Sequence, residues 1–358
     1  MSYTPLTNHN IMEMWAFDAC NFRCGYCSLV TSGAVTRVDQ LERYRDEQFI
    51  KKMVSFLDRN RPSDRRWAVI VTGGEPFMMP NLDLFVKLLG AQGDCAAFYT
   101  NNSIHIDKIF SKEALEHISY IECSFHPDWH RGKFQKQTFF DNVKAIVDKG
   151  IGTTVRFVGA PQIIDLLDEL ETLSFQIGAG FLPTTLFDPV HPKGYAPDIR
   201  NRLAEAMSGF SSLIQLDGGL LANDRLCDAG SRLFAVRMHQ GGNITPCIST
   251  DQPVFGNIYD ETFYPRPSPS ICFKNDGLCT CDIHFQQHVV HGVDDSENFS
   301  KILNGEKLNT NAIYNKWKSD NNIETSDDIW AGQGEEVSVE ANLLRVAPKL
   351  LKKKKYDE

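Results

Sequence analysis

From residue 11 to about residue 190, short apolar runs alternate with segments whose apolar residues recur at the helical period, a pattern that restricts the chain to mainly parallel strands joined by crossover helices. Six strands are predicted: Ile11 to Phe17, Trp67 to Thr72, Ala96 to Thr100, Tyr120 to Phe125, Thr153 to Val158 and Phe181 to Phe187. Between them, Ile50, Met53, Val54 and Leu57 share one helix face, as do Leu82, Phe85, Val86 and Leu89, and then Phe139, Val143, Ile146 and Val147. Gly90 and Gly150 stand where helix-terminating glycines belong, and Pro161 opens a helix striped by Ile163, Leu166, Leu167 and Leu170. A spacing of about 25 to 40 residues per unit suits an open doubly wound sheet and a barrel alike. In both, ligand chemistry gathers at the C-terminal ends of the strands.

The 358 residues, 42% hydrophobic and 23% charged, exclude a disordered chain or a fibre and supply one large core or two domains. A net charge of −9 provides no basic field for a nucleic-acid backbone. No apolar run approaches the roughly 20 residues that span a bilayer, and the start MSYTPLTNHN has neither a basic nor an apolar signal region. A cytoplasmic protein without nucleic-acid or membrane partners is expected. The composition changes near residue 210, where a glycine- and cysteine-rich stretch with Pro265, Pro267 and Pro269 runs to His291. Three parts are predicted: an α/β domain over 1–210, a small loop-rich domain organised by metal over 211–292, and a polar, peripheral helical tail over 293–358 whose Lys352 to Lys355 run is a solvated end.

Ten cysteines are more than a cytosolic chain needs for packing, and that compartment gives no reason for disulfides. Cys95 and Cys123 fall in strands, where each packs as a small apolar group. Cys20, Cys24 and Cys27 follow the first strand directly, so one loop presents three thiols at its C-terminal end. Three thiolates on a [4Fe–4S] cluster leave one iron open for chemistry. A zinc knuckle would want a fourth nearby ligand, whereas His9 precedes the strand; a redox dithiol has no need of Cys20. At the end of the second strand stands Gly73-Gly74-Glu75-Pro76. Its glycines let backbone pass close to a ligand, its proline fixes the turn, and its carbonyls with the Glu75 carboxylate can accept hydrogen bonds from an ammonium group.

The Cys-x3-Cys-x2-Cys spacing with aromatic Tyr26 before the last cysteine, followed by Gly73-Gly74-Glu75-Pro76, resembles the radical S-adenosylmethionine (SAM) superfamily. The resemblance covers roughly residues 11 to 190 and implies a partial (β/α)6 TIM-like barrel. It further implies that Cys20, Cys24 and Cys27 hold a [4Fe–4S] cluster whose open iron is chelated by SAM, with the glycine-rich turn holding the methionine end. Reductive cleavage of SAM would give a 5′-deoxyadenosyl radical that abstracts hydrogen from a substrate, the electron coming from a donor protein such as flavodoxin or ferredoxin. Thr100, Asn101, Asn102 and Ser103, then Ser124 and His126, stand at strand ends where the family contacts SAM, although such residues are also ordinary turn formers. Arg156 interrupts the fifth strand and pairs either with the SAM carboxylate or with a neighbouring carboxylate as a structural ion pair.

Farther on, Cys227, Gly242 and Cys247 stand in a Cys-x14-Gly-x4-Cys spacing that resembles the opening of SPASM and twitch auxiliary-cluster domains, with Cys272, Cys279 and Cys281 following. A full SPASM domain has seven cysteines; five here imply a single auxiliary [4Fe–4S] cluster, as in the twitch form. Four suffice, and the choice among Cys272, Cys279 and Cys281 stays open because Cys279-x-Cys281 is a tight pair. The fifth is a hydrogen donor to a substrate radical or a buried spare thiol. Structural zinc remains the alternative for this region. His284, His288 and His291 recur at i, i+4 and i+7, as a metal site or as surface histidines on a polar helix.

The expected activity is hydrogen abstraction from a small polar metabolite, such as a sugar, aminocyclitol or nucleotide-linked sugar, giving oxidation or epimerisation. Only ten residues precede Ile11, where peptide-modifying relatives carry a further domain. The alternatives are a peptide or protein maturase (of the RiPP or sulfatase type) in the same superfamily, and a non-catalytic iron–sulfur or zinc scaffold.

Overall fold

The computed structural model describes residues 6, 8–130, 132–186, 195–207, 216, 220–221, 226–248, 253–271, 278–279 and 319. Six strands, β1 (His9–Phe17), β2 (Arg66–Gly73), β3 (Cys95–Thr100), β4 (Ile118–Phe125), β5 (Gly152–Gly159) and β6 (Gly180–Thr185), lie side by side in chain order and all run parallel. Each predicted strand is present, most of them one or two residues longer than expected; residue 187 lies outside the described set.

The sheet does not stop at the compositional change. After the two-residue strands β7 (Leu220–Leu221) and β8 (Leu226–Cys227), β9 (Leu233–Arg237) pairs with the free side of β1 in parallel. An antiparallel meander of β10 (Asn243–Thr245), β11 (Gly256–Asn257) and β12 (Thr262–Phe263) continues from it. Two short strands, β13 (Ser270–Ile271) and β14 (Leu278–Cys279), pair with β8 and β7. The ten-stranded sheet is open, with β6 at one edge and β12 at the other, which is the expected partial barrel extended beyond its first strand. An apolar β9 explains the extension: Phe234 is fully buried, its ring 5.9 Å from Trp67 and 4.9 Å from Phe263. Cys272, Cys281, the three histidines from His284 to His291 and the tail apart from position 319 lie outside the described residues.

The helices are α1 (Ser28–Thr31), α2 (Glu47–Arg59), α3 (Leu82–Ala91), α4 (Lys112–Leu115), α5 (Pro127–His130), α6 (Lys133–Val147), α7 (Leu167–Gln176) and α8 (Pro197–Ala206). The predicted stripes are the buried faces: Ile50, Met53, Val54 and Leu57 on α2, and Leu82, Phe85, Val86 and Leu89 on α3. They pack with Met12, Met14, Val69, Val71, Phe98, Ile121, Cys123, Phe125, Val155 and Phe157 in one core. Each such side chain contributes about 1.5–3 kcal/mol by burial. Alternation along the strands turns Glu13, Tyr99, Glu122, Ser124 and Arg156 to the opposite, inner face. No helix among the described residues is long and apolar enough to cross a membrane.

Gly90 does not end its helix. It lies inside α3, and the left-handed residue after that helix is Gly93, at φ 76°. Gly150, at φ 78°, does follow α6 as expected. Gly90 serves packing instead, because a Cβ there would overlap the His117 ring. Gly90→Ala is therefore expected to destabilise the fold by about 1–3 kcal/mol in denaturant unfolding, the range for overpacked sites. His117→Ala in the same chain should recover most of that loss; no recovery would place the cost elsewhere.

Candidate functional site

Parallel register brings the ends of β1 to β6 to one side of the sheet, where the loops meet. The Gly74 N–H donates to the Phe17 carbonyl at 2.7 Å, and the Glu75 N–H to that of Ala19 at 2.9 Å. A Cβ on Gly74 would overlap the carbonyls of Asp18 and Ala19, and one on Gly73 that of Phe17. The glycine pair thus admits the cysteine loop itself against the end of β2.

Glu75 is fully buried and its carboxylate accepts from Thr100 Oγ1 at 2.6 Å, from the Asn101 N–H at 2.7 Å and from the Phe77 N–H at 2.9 Å. Three protein donors thus meet this carboxylate, since a buried carboxylate must be bonded where it lies; its own turn supplies one and the end of β3 the other two. Burial raises its pKa to about 7 against the pull of the Thr100, Asn101 and Phe77 donors.

Beyond β3, Asn101 Nδ2 donates to Asn21 Oδ1 at 2.9 Å and lies 3.7 Å from Cys20 Sγ, while Asn21 Nδ2 donates to Ser103 Oγ at 2.7 Å. Asn101 and Ser103 therefore face the cysteine loop. Thr100 and Asn102, expected to meet a ribose, are engaged inside the protein. The Thr100 hydroxyl accepts from the Asn102 N–H at 3.0 Å, and Asn102, left-handed at φ 53°, donates from Nδ2 to the Phe139 carbonyl at 3.3 Å. Both take part in the turn after β3, as their residue types also allow, while Asn102 Oδ1 is buried with no hydrogen-bond partner among the described residues.

Cys24 is buried, and Cys20 and Cys27 are half-buried. Burial pushes the Cys24 thiol up to about 12 and that of Cys20 in the same direction. The Phe22 N–H donates to Cys20 Sγ at 3.3 Å, a bond that favours the thiolate. Among the described residues no three His, Cys, Asp or Glu side chains are gathered as ligands of one metal ion. The donor set fits an iron–sulfur cluster, in which each thiolate holds a different iron and amides point at sulfur. The positive charge of the iron would also offset the burial that opposes ionisation.

From the other side the end of β4 holds this loop. The Tyr26 hydroxyl and His126 Nδ1 are 2.6 Å apart, and the Gly25 N–H donates to Asp128 Oδ2 at 2.8 Å. Phe22 stacks on Trp129 with centroids 4.6 Å apart and planes 7° from parallel. Asp128, Trp129 and His130 were not singled out in the sequence; aromatic and acidic residues directly after a strand end are the signal they offered. Pro76 opens the short turn after Glu75, and Ser124 sits half-buried on the inner face one residue before β4 ends.

Arg156 makes the structural pair. Its Nη2 donates to Glu122 Oε2 at 2.9 Å and its Nε to Glu122 Oε1, with both side chains largely buried. Of the two partners expected for Arg156, the neighbouring carboxylate is present: Glu122 on the adjacent strand offers both oxygens to the guanidinium. Glu122 and Glu13 were overlooked in the sequence, although lone acids within apolar strands mark an inner face. In the second cysteine group, Cys227 is buried and its Sγ accepts the Ala229 N–H at 3.4 Å, the same i to i+2 bond as at Cys20. Asp228 and Arg232, both buried, pair across that turn. Cys247 is half-buried, and Cys279 is described only as a strand position.

Glu75→Ala is expected to cost about 3–5 kcal/mol in denaturant unfolding, because three buried donors lose their acceptor. Glu75→Gln, which keeps one oxygen, should cost less. Between pH 4.5, the ordinary value, and about 7, folded Glu75 holds a proton that the unfolded chain has released, so this group's contribution to stability falls as pH rises through that window. The slope should flatten in Glu75→Gln, measured as unfolding midpoints against pH.

Neither a known family model nor a curated protein matches the sequence. Solved structures do match in shape. Streptococcus suis SuiB bound to S-adenosylmethionine aligns with a TM-score of 0.51 at 16% identity over 71% of this chain, and a second structure of SuiB aligns with 0.50. Native anSMEcpe with bound AdoMet aligns with 0.50 at 13% identity, covering 83% of this chain and 84% of its own. The chain spans 64% of SuiB. It shares the fold of these S-adenosylmethionine-bound proteins, an open α/β barrel with its loops at the strand C-termini.

Proposed function

We propose that the protein is a radical SAM enzyme. One observation carries the reading: the three-thiol loop and the Gly73-Gly74-Glu75-Pro76 turn, 46 residues apart from Cys27 to Gly73, are bonded into one unit at the strand ends of a fold shared with proteins solved with S-adenosylmethionine. Cys20, Cys24 and Cys27 would hold the [4Fe–4S] cluster. When bound, the cluster and SAM supply reductive cleavage of the sulfonium and a 5′-deoxyadenosyl radical. The chain's own residues position and enclose: the carbonyls of the glycine turn accept from the methionine ammonium, Asn101 and Ser103 lie beside the cysteine loop for the ribose, and Tyr26, Ser124 and His126 close the β4 side. Glu75 and Arg156 act one step back, holding strands and loops in place.

The substrate is a small polar metabolite that loses hydrogen, with oxidation or epimerisation as the outcome. The inner face supports this choice, since Glu13, Tyr99, Glu122, Ser124 and Arg156 line it with hydrogen-bonding and charged groups rather than an apolar surface. Cys227 and Cys247, with two of Cys272, Cys279 and Cys281, would hold one auxiliary cluster in a domain over 211–292, and a flavodoxin or ferredoxin would supply electrons.

Anaerobic reconstitution followed by reduction should give about eight irons per chain, consistent with two [4Fe–4S] clusters, and SAM-dependent release of 5′-deoxyadenosine. Replacing Cys20, Cys24 and Cys27 together by alanine should abolish that release and leave about four irons. A loaded, reduced protein that leaves SAM intact would refute the enzyme reading. Deuterium passing into 5′-deoxyadenosine from a labelled sugar or aminocyclitol supports the metabolite; transfer only from a labelled peptide would replace it.

A further inference from the structure

We infer that the His126-Pro127-Asp128-Trp129-His130 segment is a positioning clamp on the cysteine loop, and that the Asp128 carboxylate lowers the reduction potential of the cluster bound there. The inference rests on the cluster reading above. Gly25 lies between the ligands Cys24 and Cys27, and its N–H donates to Asp128 Oδ2 at 2.8 Å. Two effects of this bond act in one direction. The carboxylate brings a negative charge to the loop, and it takes up an amide that could otherwise point at a sulfur; added negative charge and fewer N–H···S bonds both make a cluster harder to reduce.

Among the described residues Asp128 forms no ion pair, and desolvation holds His126 and His130 neutral, with values of about 4 and about 3. The rest of the segment keeps Asp128 in register. The His126 N–H donates to His130 Nδ1 at 3.0 Å, Tyr26 meets His126 at 2.6 Å, and the Phe22 ring lies between Trp129 at 4.6 Å and His130 at 5.3 Å. Three loop residues flanking the ligands, Phe22, Gly25 and Tyr26, are thus each held by a different residue of the segment. Because Asp128 is exposed, water screens its charge, so the effect on the couple is bounded at about tenfold, ~59 mV for one electron.

The test is a redox titration of the anaerobically reconstituted full-length protein, following by electron paramagnetic resonance the reduced signal that changes when SAM is added. Asp128→Asn keeps an oxygen for the Gly25 N–H and removes the charge. It should load iron as wild type does and be reduced up to about tenfold more easily. Asp128→Ser is a second neutral variant with an acceptor and should shift the same way. Asp128→Glu, which keeps the charge, should titrate near wild type. Unchanged potentials in loaded Asp128→Asn and Asp128→Ser, or an equal shift in Asp128→Glu, would overturn the inference while leaving the cluster intact. A wild-type protein that takes up no cluster would instead overturn the reading on which it rests.

Discussion

A carboxylate enclosed where three strands end sets the geometry on which the candidate site depends. Glu75 has no water to bond, so its two oxygens take donors from its own turn and from the first residues beyond β3. The backbone of that same turn grips the cysteine loop through Phe17 and Ala19. Neither contact alone would order a loop of three thiols, because burial disfavours their charged form and the loop lies outside any sheet ladder. Together they make the loop after β1, the turn after β2 and the loop after β3 one body. Close approach demands glycine at 73 and 74 for a steric reason, and the carboxylate at 75 for an electrostatic one.

Much of this arrangement was legible in the sequence, because it is written in periodicity. Six strands and the apolar faces of α2, α3 and α6 follow from patterns that only one type of element satisfies, and parallel order then puts the Cys20, Gly73, Asn101 and His126 loops at one end. What the sequence leaves open has a common cause. Glu75 and Asn102 stand out in the sequence as polar residues at strand ends and Arg156 as one within an apolar strand, but a sequence does not tell whether the partner of a buried polar group is a ligand or another side chain. Glu122, the partner of Arg156, sits 34 residues away and becomes its neighbour only through the pairing of β4 with β5. Gly90 failed similarly: a glycine near a helix end reads as a cap, and only the approach of His117 gives its actual reason.

The extension of the sheet past β1 was hidden for a different reason. Cysteines, glycines and prolines dominate the composition after residue 210, masking a five-residue apolar strand, β9, that pairs with β1 over Ile11 to Trp15. A consequence follows for how the two cysteine groups relate. Cys227 precedes β9 by a turn locked through Asp228 and Arg232, and Arg232 also donates to the carbonyls of Leu6 and His9 at the start of β1. The first strand therefore carries the three thiols of Cys20, Cys24 and Cys27 beyond its C-terminal end while its N-terminal end anchors the turn that carries Cys227.

The inner face adds the remaining constraint. A bidentate pair between Glu122 and Arg156 costs desolvation that an apolar pair would not, so stability alone gives it weak justification. Its value is placement. With both oxygens of Glu122 bonded to one guanidinium, the two strands hold a fixed polar surface on the inner face, in line with Ser124 and two residues short of His126, where the clamp on the cysteine loop begins. Rigid polar groups can hold a bound molecule still at lower entropic cost than flexible ones. The same pair thus turns two charged side chains into one fixed polar surface on the inner face.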